Sequence, residues 1–226
     1  LAQRMETERR FTADAAHELR TPIAAIRAQA QVALTSATND QAHQHALQDT
    51  LIGCDRASRV VEQLLTLARV EGPQDVAFET FRLDQLARQV MADLTPDALR
   101  RGQTLELLAP EPLEVNGQST LWQIMLRNLI DNALRYSPDG AVVRIDAQRL
   151  DRGHVQVTVQ DSGAGLSDTD MARLGERFFR VLGNSATGSG LGWSIVRHIA
   201  SLQHVDVHVG RSADLGGLQV TLHCRG

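Results

Sequence analysis

No stretch of the 226-residue chain reaches the ~18 apolar residues that a membrane-spanning helix needs, and no secretory signal opens it. Cysteine is scarce. Cys54 and Cys224 form no CxxC pair, which excludes a cysteine-built zinc site and a disulfide framework and fits a reducing, cytoplasmic compartment. Cys54 falls at an apolar helical position and is expected in the core, where free cysteine usually sits. Basic residues never run longer than two and the net charge is −4, so nothing points to nucleic acid as a partner. The chain starts at Leu1, without Met, and runs straight into a helical pattern. It is expected to be part of something longer.

Turn signals are also rare at first. Before residue 72 there is one proline, Pro22, and one glycine, Gly53. Leu19, Ile23, Ile26, Ala30 and Ala33 are spaced 4, 3, 4, 3, and Leu47, Leu51, Cys54, Ser58, Val61, Leu65 and Ala68 keep the same alternation. This spacing predicts two helices packed along a seam, with Thr38-Asn39-Asp40 as the turn between them. Two helices with one apolar stripe each bury too little surface alone, so a homodimeric four-helix bundle is expected. Gly72-Pro73 ends the second helix. The sequence thus divides into a helical unit over 1–72, a connection over 73–80 and a second domain over 81–226.

Beyond the connection the pattern changes. Runs at 142–145, 155–159, 205–209 and 218–222 read as strands, and helical patterns cover about 83–101, 119–136, 168–174 and 190–203. The expected class is α+β, an antiparallel helical hairpin followed by an α/β sandwich whose mostly antiparallel sheet carries helices on one face.

His17 stands two residues before the seam residue Leu19, roughly 200° around the helix, and should face solvent with Asp14, Arg20 and Thr21 on its side and Glu18 adjacent. An exposed imidazole accepts a phosphoryl group when one ring nitrogen is deprotonated, and a nearby carboxylate can take the proton or fix the tautomer. Most surface histidines do nothing of the kind. Pro22 one turn on, at about 3 kcal/mol inside a helix, marks the segment as unusual.

On the apolar helix 119–136, Asn128 and Asn132 lie four apart on one face, with Asp131 and Arg135 beside them. Two such amides either bond within the fold or offer oxygens to Mg2+. Asp161-Ser-Gly-Ala-Gly165 follows a strand, and its glycines suit a sharp turn close to a ligand. Gly188-Ser-Gly-Leu-Gly192 runs into a helix, where backbone N–H groups and the helix end favour phosphate. No strand precedes it directly, which argues against a Rossmann site. The aperiodic stretch 180–189 reads as a lid.

Phe11-Thr-Ala-Asp-Ala-Ala-His17-Glu-Leu-Arg-Thr-Pro22 resembles the H-box of sensor histidine kinases. Asn128-Leu-Ile-Asp-Asn132-Ala resembles their N-box, Asp161–Gly165 the first glycine box, Glu176-Arg-Phe-Phe-Arg180 the F-box and Gly188–Gly192 the second glycine box. The nucleotide domain is similar to that of gyrase-type topoisomerases, Hsp90-type chaperones and mismatch-repair ATPases. Each box alone is weak; five in one order are specific. The overall texture is similar to sensor kinases of the QseC/PmrB kind.

The resemblance implies ATP-dependent autophosphorylation of His17, with Glu18 as acid/base partner and Thr21 positioning water for dephosphorylation. It implies transfer to an Asp of a response regulator receiver domain. Asn128 and Asn132 would hold Mg2+ and phosphates, Arg135 would touch phosphate, and Tyr136 would lie along the nucleotide. Asp161 would accept a hydrogen bond from the adenine amino group, and Gly163 and Gly165 would make room for the base. Gly188, Gly190, Leu191 and Gly192 would wrap the triphosphate, and Phe178 and Phe179 would anchor the lid. The chain would be the cytoplasmic portion of a bacterial inner-membrane protein, reaching the membrane only through segments outside this sequence. Two departures stand out: Trp193 replaces a smaller aliphatic residue, and Leu202-Gln-His-Val205 replaces a commonly glycine-containing turn.

Two other readings compete. An ATP-hydrolysing relative would need a glutamate base where this chain has Asn128, which cannot take a proton, and would have no use for the H-box. A non-enzymatic nucleotide-binding scaffold would not need the full set of groups retained here.

Overall fold

The structure, a computed structural model, describes residues 19, 21–34, 40–71, 77–150, 153–174, 176 and 191–225. It separates into two compact units whose boundary in sequence lies between Arg69 and Val70.

In the first unit, helix α1 (21–34) packs antiparallel on α2 (Asp40–Glu71). The direction follows from two contacts. His43 Nδ1 lies 2.9 Å from the Ala33 carbonyl, and an ideal Cβ on Gly53 would stand 2.7 Å from Ile26 Cγ1. Glycine at 53 therefore lets the helices approach.

The buried stripe of α2 is Ala46, Gly53, Val60, Leu64 and Leu67, with Thr50 and Ala57 half-buried. This corrects the expected seam by one residue. Leu47, Leu51, Cys54, Ser58, Val61, Leu65 and Ala68 are all exposed in the single chain, and so is Ile23 of α1. Both stripes recur at the same spacing, and the hairpin uses the one that carries the small residues Ala46 and Gly53, the latter directly against Ile26, which permits close packing. Cys54, expected in the core, lies on the exposed stripe.

The second unit is built around a five-stranded sheet in the order β2 (Thr104–Leu108), β4 (Val142–Arg149), β5 (His154–Asp161), β7 (Leu218–Arg225), β6 (Asp206–Arg211). Only β2–β4 is parallel. A small antiparallel pair, β1 (Glu79–Arg82) with β3 (Glu114–Gly117), lies apart. Glu79 and Thr80, which the sequence pattern assigns to the connection, are thus strand residues paired with Gly117 and Asn116. Helices α3 (Leu83–Arg100), α4 (Ser119–Tyr136) and α6 (Gly192–Leu202) pack on one another and on the sheet. The short α5 (Asp168–Arg173) starts at Ser167, whose Oγ accepts from Asp170 N, an ordinary N-cap.

Val143, Ile145, Val157, Val159, Val220 and Leu222 of the sheet are buried together with the broad apolar sides of α4 and α6. The alternate sheet positions are polar: Arg144 Nε donates to Glu106 Oε2 at 2.8 Å, and Gln160 Nε2 to Asp146 Oδ2 at 2.8 Å. This period-two split is what the sequence alternation requires of a sheet covered on one side. Cys224 is buried, which pushes its thiol up to about 12. At the start of α3, the Arg82 guanidinium grips Asp84 through two bonds of 2.8 and 2.7 Å and holds its carboxyl down to about 2, with help from Leu113 N.

Candidate functional site

Helix α4 carries the polar strip that the sequence singles out. Its buried residues fall at both i, i+4 rows, Leu121-Met125-Leu129-Ala133 and Trp122-Leu126-Ile130-Leu134, so only a narrow face remains for Asn128, Asp131, Asn132 and Arg135. Asn128 Nδ2 donates to the Ile124 carbonyl at 2.8 Å, which turns its Oδ1 outward. That oxygen faces the head of α6: an ideal Cβ on Gly192 would stand 3.2 Å from Asn128 Oδ1 and 3.4 and 3.5 Å from Asn132 Nδ2 and Oδ1. Glycine at 192 thus allows the α6 backbone to lie against both carboxamides. Asn132 Nδ2 is buried without a hydrogen-bond partner among the described residues, a cost that a polar ligand would remove. Arg135 Nη2 is bridged to Asp131 Oδ2 at 2.6 Å, one turn back on the same helix, and Tyr136 is exposed.

Asp161 ends β5 and is buried. Its Oδ1 accepts from Gly163 N at 2.8 Å and Leu218 N at 3.3 Å, while its carbonyl accepts from Gly217 N at 3.1 Å. Burial raises its pKa; the Gly163 and Leu218 amides and the Ser137 hydroxyl pull it partly back. Both backbone donors fall on Oδ1, so Oδ2 takes no backbone hydrogen bond among the described residues. A buried carboxylate oriented through one oxygen presents the other as an acceptor for a ligand N–H. Gly165 has φ +73 and lies close to the Gly216–Gly217 backbone. The glycine there meets a real requirement of the turn.

Asn128, Asn132 and Gly192 are therefore brought together, and Asp161, Gly163 and Gly165 form a second cluster beside Ser137, the residue that follows α4. Leu191 is buried at the head of α6. Thr21 is exposed on α1. His17, Glu18, Gly188, Gly190, Phe178, Phe179 and the stretch 180–189 lie outside the described residues.

Sequence reasoning missed Ser137, Gly217 and Leu218. An ideal Cβ on Gly217 would stand 2.2 Å from Asp161 Oδ1 and 2.4 Å from its carbonyl oxygen, so the β6–β7 hairpin presses directly on the carboxylate. The Gly216-Gly217 pair suits a hairpin turn, but nothing local says which residue it touches. Among the described residues no group of three or more His, Cys, Asp or Glu could hold a metal; the Asn128 and Asn132 oxygens beside Gly192 are neutral carboxamide oxygens.

Residues 117–225 match the family described as Histidine kinase-, DNA gyrase B-, and HSP90-like ATPase. Residues 7–73 match the His Kinase A (phospho-acceptor) domain. The chain belongs to the sensor histidine kinases. It is 42% identical over 219 residues to Sensor protein QseC of Escherichia coli K12, covering 95% of this chain and 47% of that protein. It is 37% identical over 220 residues to Sensor protein kinase PmrB of Pseudomonas aeruginosa, covering 96% and 45%. The fold is also that of the histidine kinase ThkA, solved in complex with response regulator protein TrrA. The TM-score is 0.78 at 19% identity, over 99% of this chain and 63% of that one. The chain spans about half the length of the curated relatives it matches. The nucleotide domain is an ATP-binding one by family, and none of the helices among the described residues is long and apolar enough to cross a membrane.

Proposed function

We propose that this chain is the autokinase part of a two-component sensor, transferring the γ-phosphoryl group of ATP to His17 and from there to an Asp of a response regulator receiver domain. The observation that carries the reading is the convergence of Asn128 and Asn132 on the Gly192 backbone, on the same helix whose C-cap, Ser137, borders the Asp161–Gly163 cluster. Asp161 Oδ2 would accept from the adenine amino group, with Gly163 and Gly165 leaving room for the base and Tyr136 alongside it. Arg135, held by Asp131, would approach phosphate, and Gly188, Gly190, Leu191 and Gly192 would wrap the triphosphate.

The Asn128 Oδ1 fits Mg2+ carried in with the phosphates, since that ion takes oxygen ligands and keeps most of its shell as water and phosphate oxygen, while Asn132 Nδ2, a donor without a partner among the described residues, fits a phosphate oxygen. When bound the ion would neutralise charge developing on the transferred group. Glu18 would accept the proton from the His17 imidazole, and Thr21 would orient water for release of phosphate from the regulator. That ThkA was solved with TrrA supports a receiver domain as the partner's kind.

Residues 1–72 would form the dimerisation and phosphotransfer unit and the remainder the catalytic one. The exposed stripe of α2, with Leu51 at 65% and Leu65 at 53% exposure, supports a homodimer in which that stripe is covered by a second copy. The chain would sit on the cytoplasmic side, tethered by segments beyond this sequence.

The test is phosphate incorporation from labelled ATP. Wild-type protein should take up acid-labile label and His17→Gln should take up none. Label retained by that variant would defeat the assignment.

A further inference from the structure

The last turn of α4 is held from outside by two side chains of the α3–β2 corner. We infer that Arg101 and Gln103 are positioning residues for the nucleotide site, an inference that rests on the function proposed above. A helix leaves its last carbonyls without intrahelical partners. At this end the C-cap is Ser137, in extended conformation, and its N–H returns only to the Ala133 carbonyl at 3.2 Å. The neighbouring carbonyls are answered from residues more than thirty positions away. Arg101 Nη1 donates to Leu134 O at 2.5 Å and to Arg135 O at 3.5 Å, Nη2 to Ser137 O at 2.8 Å, and Nε to Asp139 Oδ1 at 2.8 Å. Gln103 Nε2 donates to Leu134 O at 2.8 Å, Pro138 O at 2.9 Å and Ser137 O at 3.3 Å. The loop is closed from its other side by Gly140 N on the Arg101 carbonyl at 3.0 Å.

A guanidinium at the negative end of a helix dipole is favourable, and its planar fork reaches several carbonyls at once. Gln103 is buried, yet its Oε1 has no partner among the described residues. An amide that leaves its acceptor unmet while its donor serves three carbonyls is placed there for the donor.

What the clamp holds is the junction between the two clusters of the site. Arg135 and Tyr136 lie in the clamped turn, one residue or two beyond it comes the loop, and Asn132 is one turn back. Ser137 Oγ and Cα lie 3.3 and 3.5 Å from the position of an ideal Cβ on Gly163, so the clamped residue is a wall of the Asp161 cluster. Releasing the turn would move Tyr136 and that wall while leaving the Asn128–Gly192 contact in place.

The experiment is an ATP dependence of autophosphorylation on the full chain, with ADP titration on the same proteins. Arg101→Ala should raise the KM for ATP and the Kd for ADP roughly tenfold, the scale of one or two net hydrogen bonds, with kcat within about twofold. Arg101→Lys, which keeps the cation but not the fork, should recover to within about threefold. Gln103→Glu, which has no donor, should be at least as impaired as Arg101→Ala. Arg144→Ala, which removes the ion pair with Glu106 on the polar side of the sheet, should change neither constant. A wild-type KM and Kd in Arg101→Ala would overturn the inference. So would KM and kcat deteriorating together in step with the melting temperature. Arg101 is half-exposed, so its variants decide the matter even if Gln103→Glu does not fold. Wild-type protein that binds ADP but takes no label would defeat the proposed function, and the titrations would still decide the clamp.

Discussion

Replacing Gly217 by alanine sets the geometry around Asp161 against measurement. The added methyl would stand 2.2 Å from Asp161 Oδ1, 2.4 Å from the Asp161 carbonyl oxygen and 2.7 Å from Gly163 N. Two of these three atoms are backbone and cannot rotate aside, so the β6–β7 hairpin has to withdraw from β5. Withdrawal breaks the bond from Gly217 N to Asp161 O and the one from Leu218 N to Asp161 Oδ1. Each is worth about 1 kcal/mol net, and a buried carboxylate left short of a donor costs a further 1–3 kcal/mol or so. The expected loss is about 3–5 kcal/mol, or about 10 °C in melting temperature for a domain of this size.

The neighbouring glycines supply the comparison. Gly216 has φ +83 with nothing within 4 Å of an ideal Cβ, so Gly216→Ala should cost only the backbone strain, about 1 kcal/mol. Gly210 has neither a clash nor a left-handed φ, and Gly210→Ala should fall within about 0.5 kcal/mol of wild type. Denaturant unfolding followed by circular dichroism gives the stabilities, and titration with ADP gives the second readout. Affinity should fall with Gly217→Ala alone. Should Gly217→Ala prove no worse than Gly216→Ala, the close approach of the hairpin to Asp161 is wrong, and with it the account of how that carboxylate is oriented.

Asp161→Asn tests the charge. Because burial raises the folded pKa, ionised Asp161 costs stability at neutral pH, and that cost disappears as pH falls through the raised value. Asp161→Asn should therefore be at least as stable as wild type at pH 7 while binding adenine nucleotide tenfold or more weakly, since the amide nitrogen would face another donor; unfolding curves across pH and a nucleotide titration check both halves. On the stem, Leu65→Glu places a charge on the exposed stripe without touching the buried one, and should shift sedimentation equilibrium from dimer to monomer, with stem helicity falling as the hairpin loses the cover of its partner copy. A dimer that persists at the wild-type concentration dependence would remove that stripe from the interface.

The long amphipathic helices were the most legible elements. The patterns at about 83–101, 119–136 and 190–203 correspond to Leu83–Arg100, Ser119–Tyr136 and Gly192–Leu202, because a stripe of several turns leaves little freedom in assignment. Strands β1, β2 and β3 were not seen. They are four or five residues long, and Glu79, Glu106 and Glu114 interrupt whatever alternation they have. On α2 the period was legible but its partner was not. Two stripes one residue apart share one spacing, and only the tight contact of Gly53 with Ile26 decides which of them closes the hairpin. The amides and glycines of the site could be picked out as residues that make poor sense in a core. Ser137, Gly217 and the Arg101–Gln103 pair could not, since each acts through a partner distant in sequence.

The turn that departs from the family pattern shows how such a substitution is accommodated. Val205 N bonds to Ala200 O at 2.8 Å and His204 N to Ser201 O at 3.5 Å, the paired bonds of a helix ending in a left-handed residue. That residue is His204, at φ +54, where glycine would be free of strain. Its ring lies 6.3 Å from that of Phe78, a contact that glycine could not make. The preceding cap residue, Gln203, accepts Gln118 N at 2.7 Å and thereby ties the end of α6 to the start of α4. Helix α4 is thus fixed at its first turn by Gln203 and at its last by Arg101 and Gln103, and the helix so fixed is the one that bears Asn128 and Asn132. A strained cap that anchors such a helix is worth about 1 kcal/mol of local cost, because two amides that must meet one charged ligand can tolerate little drift between them.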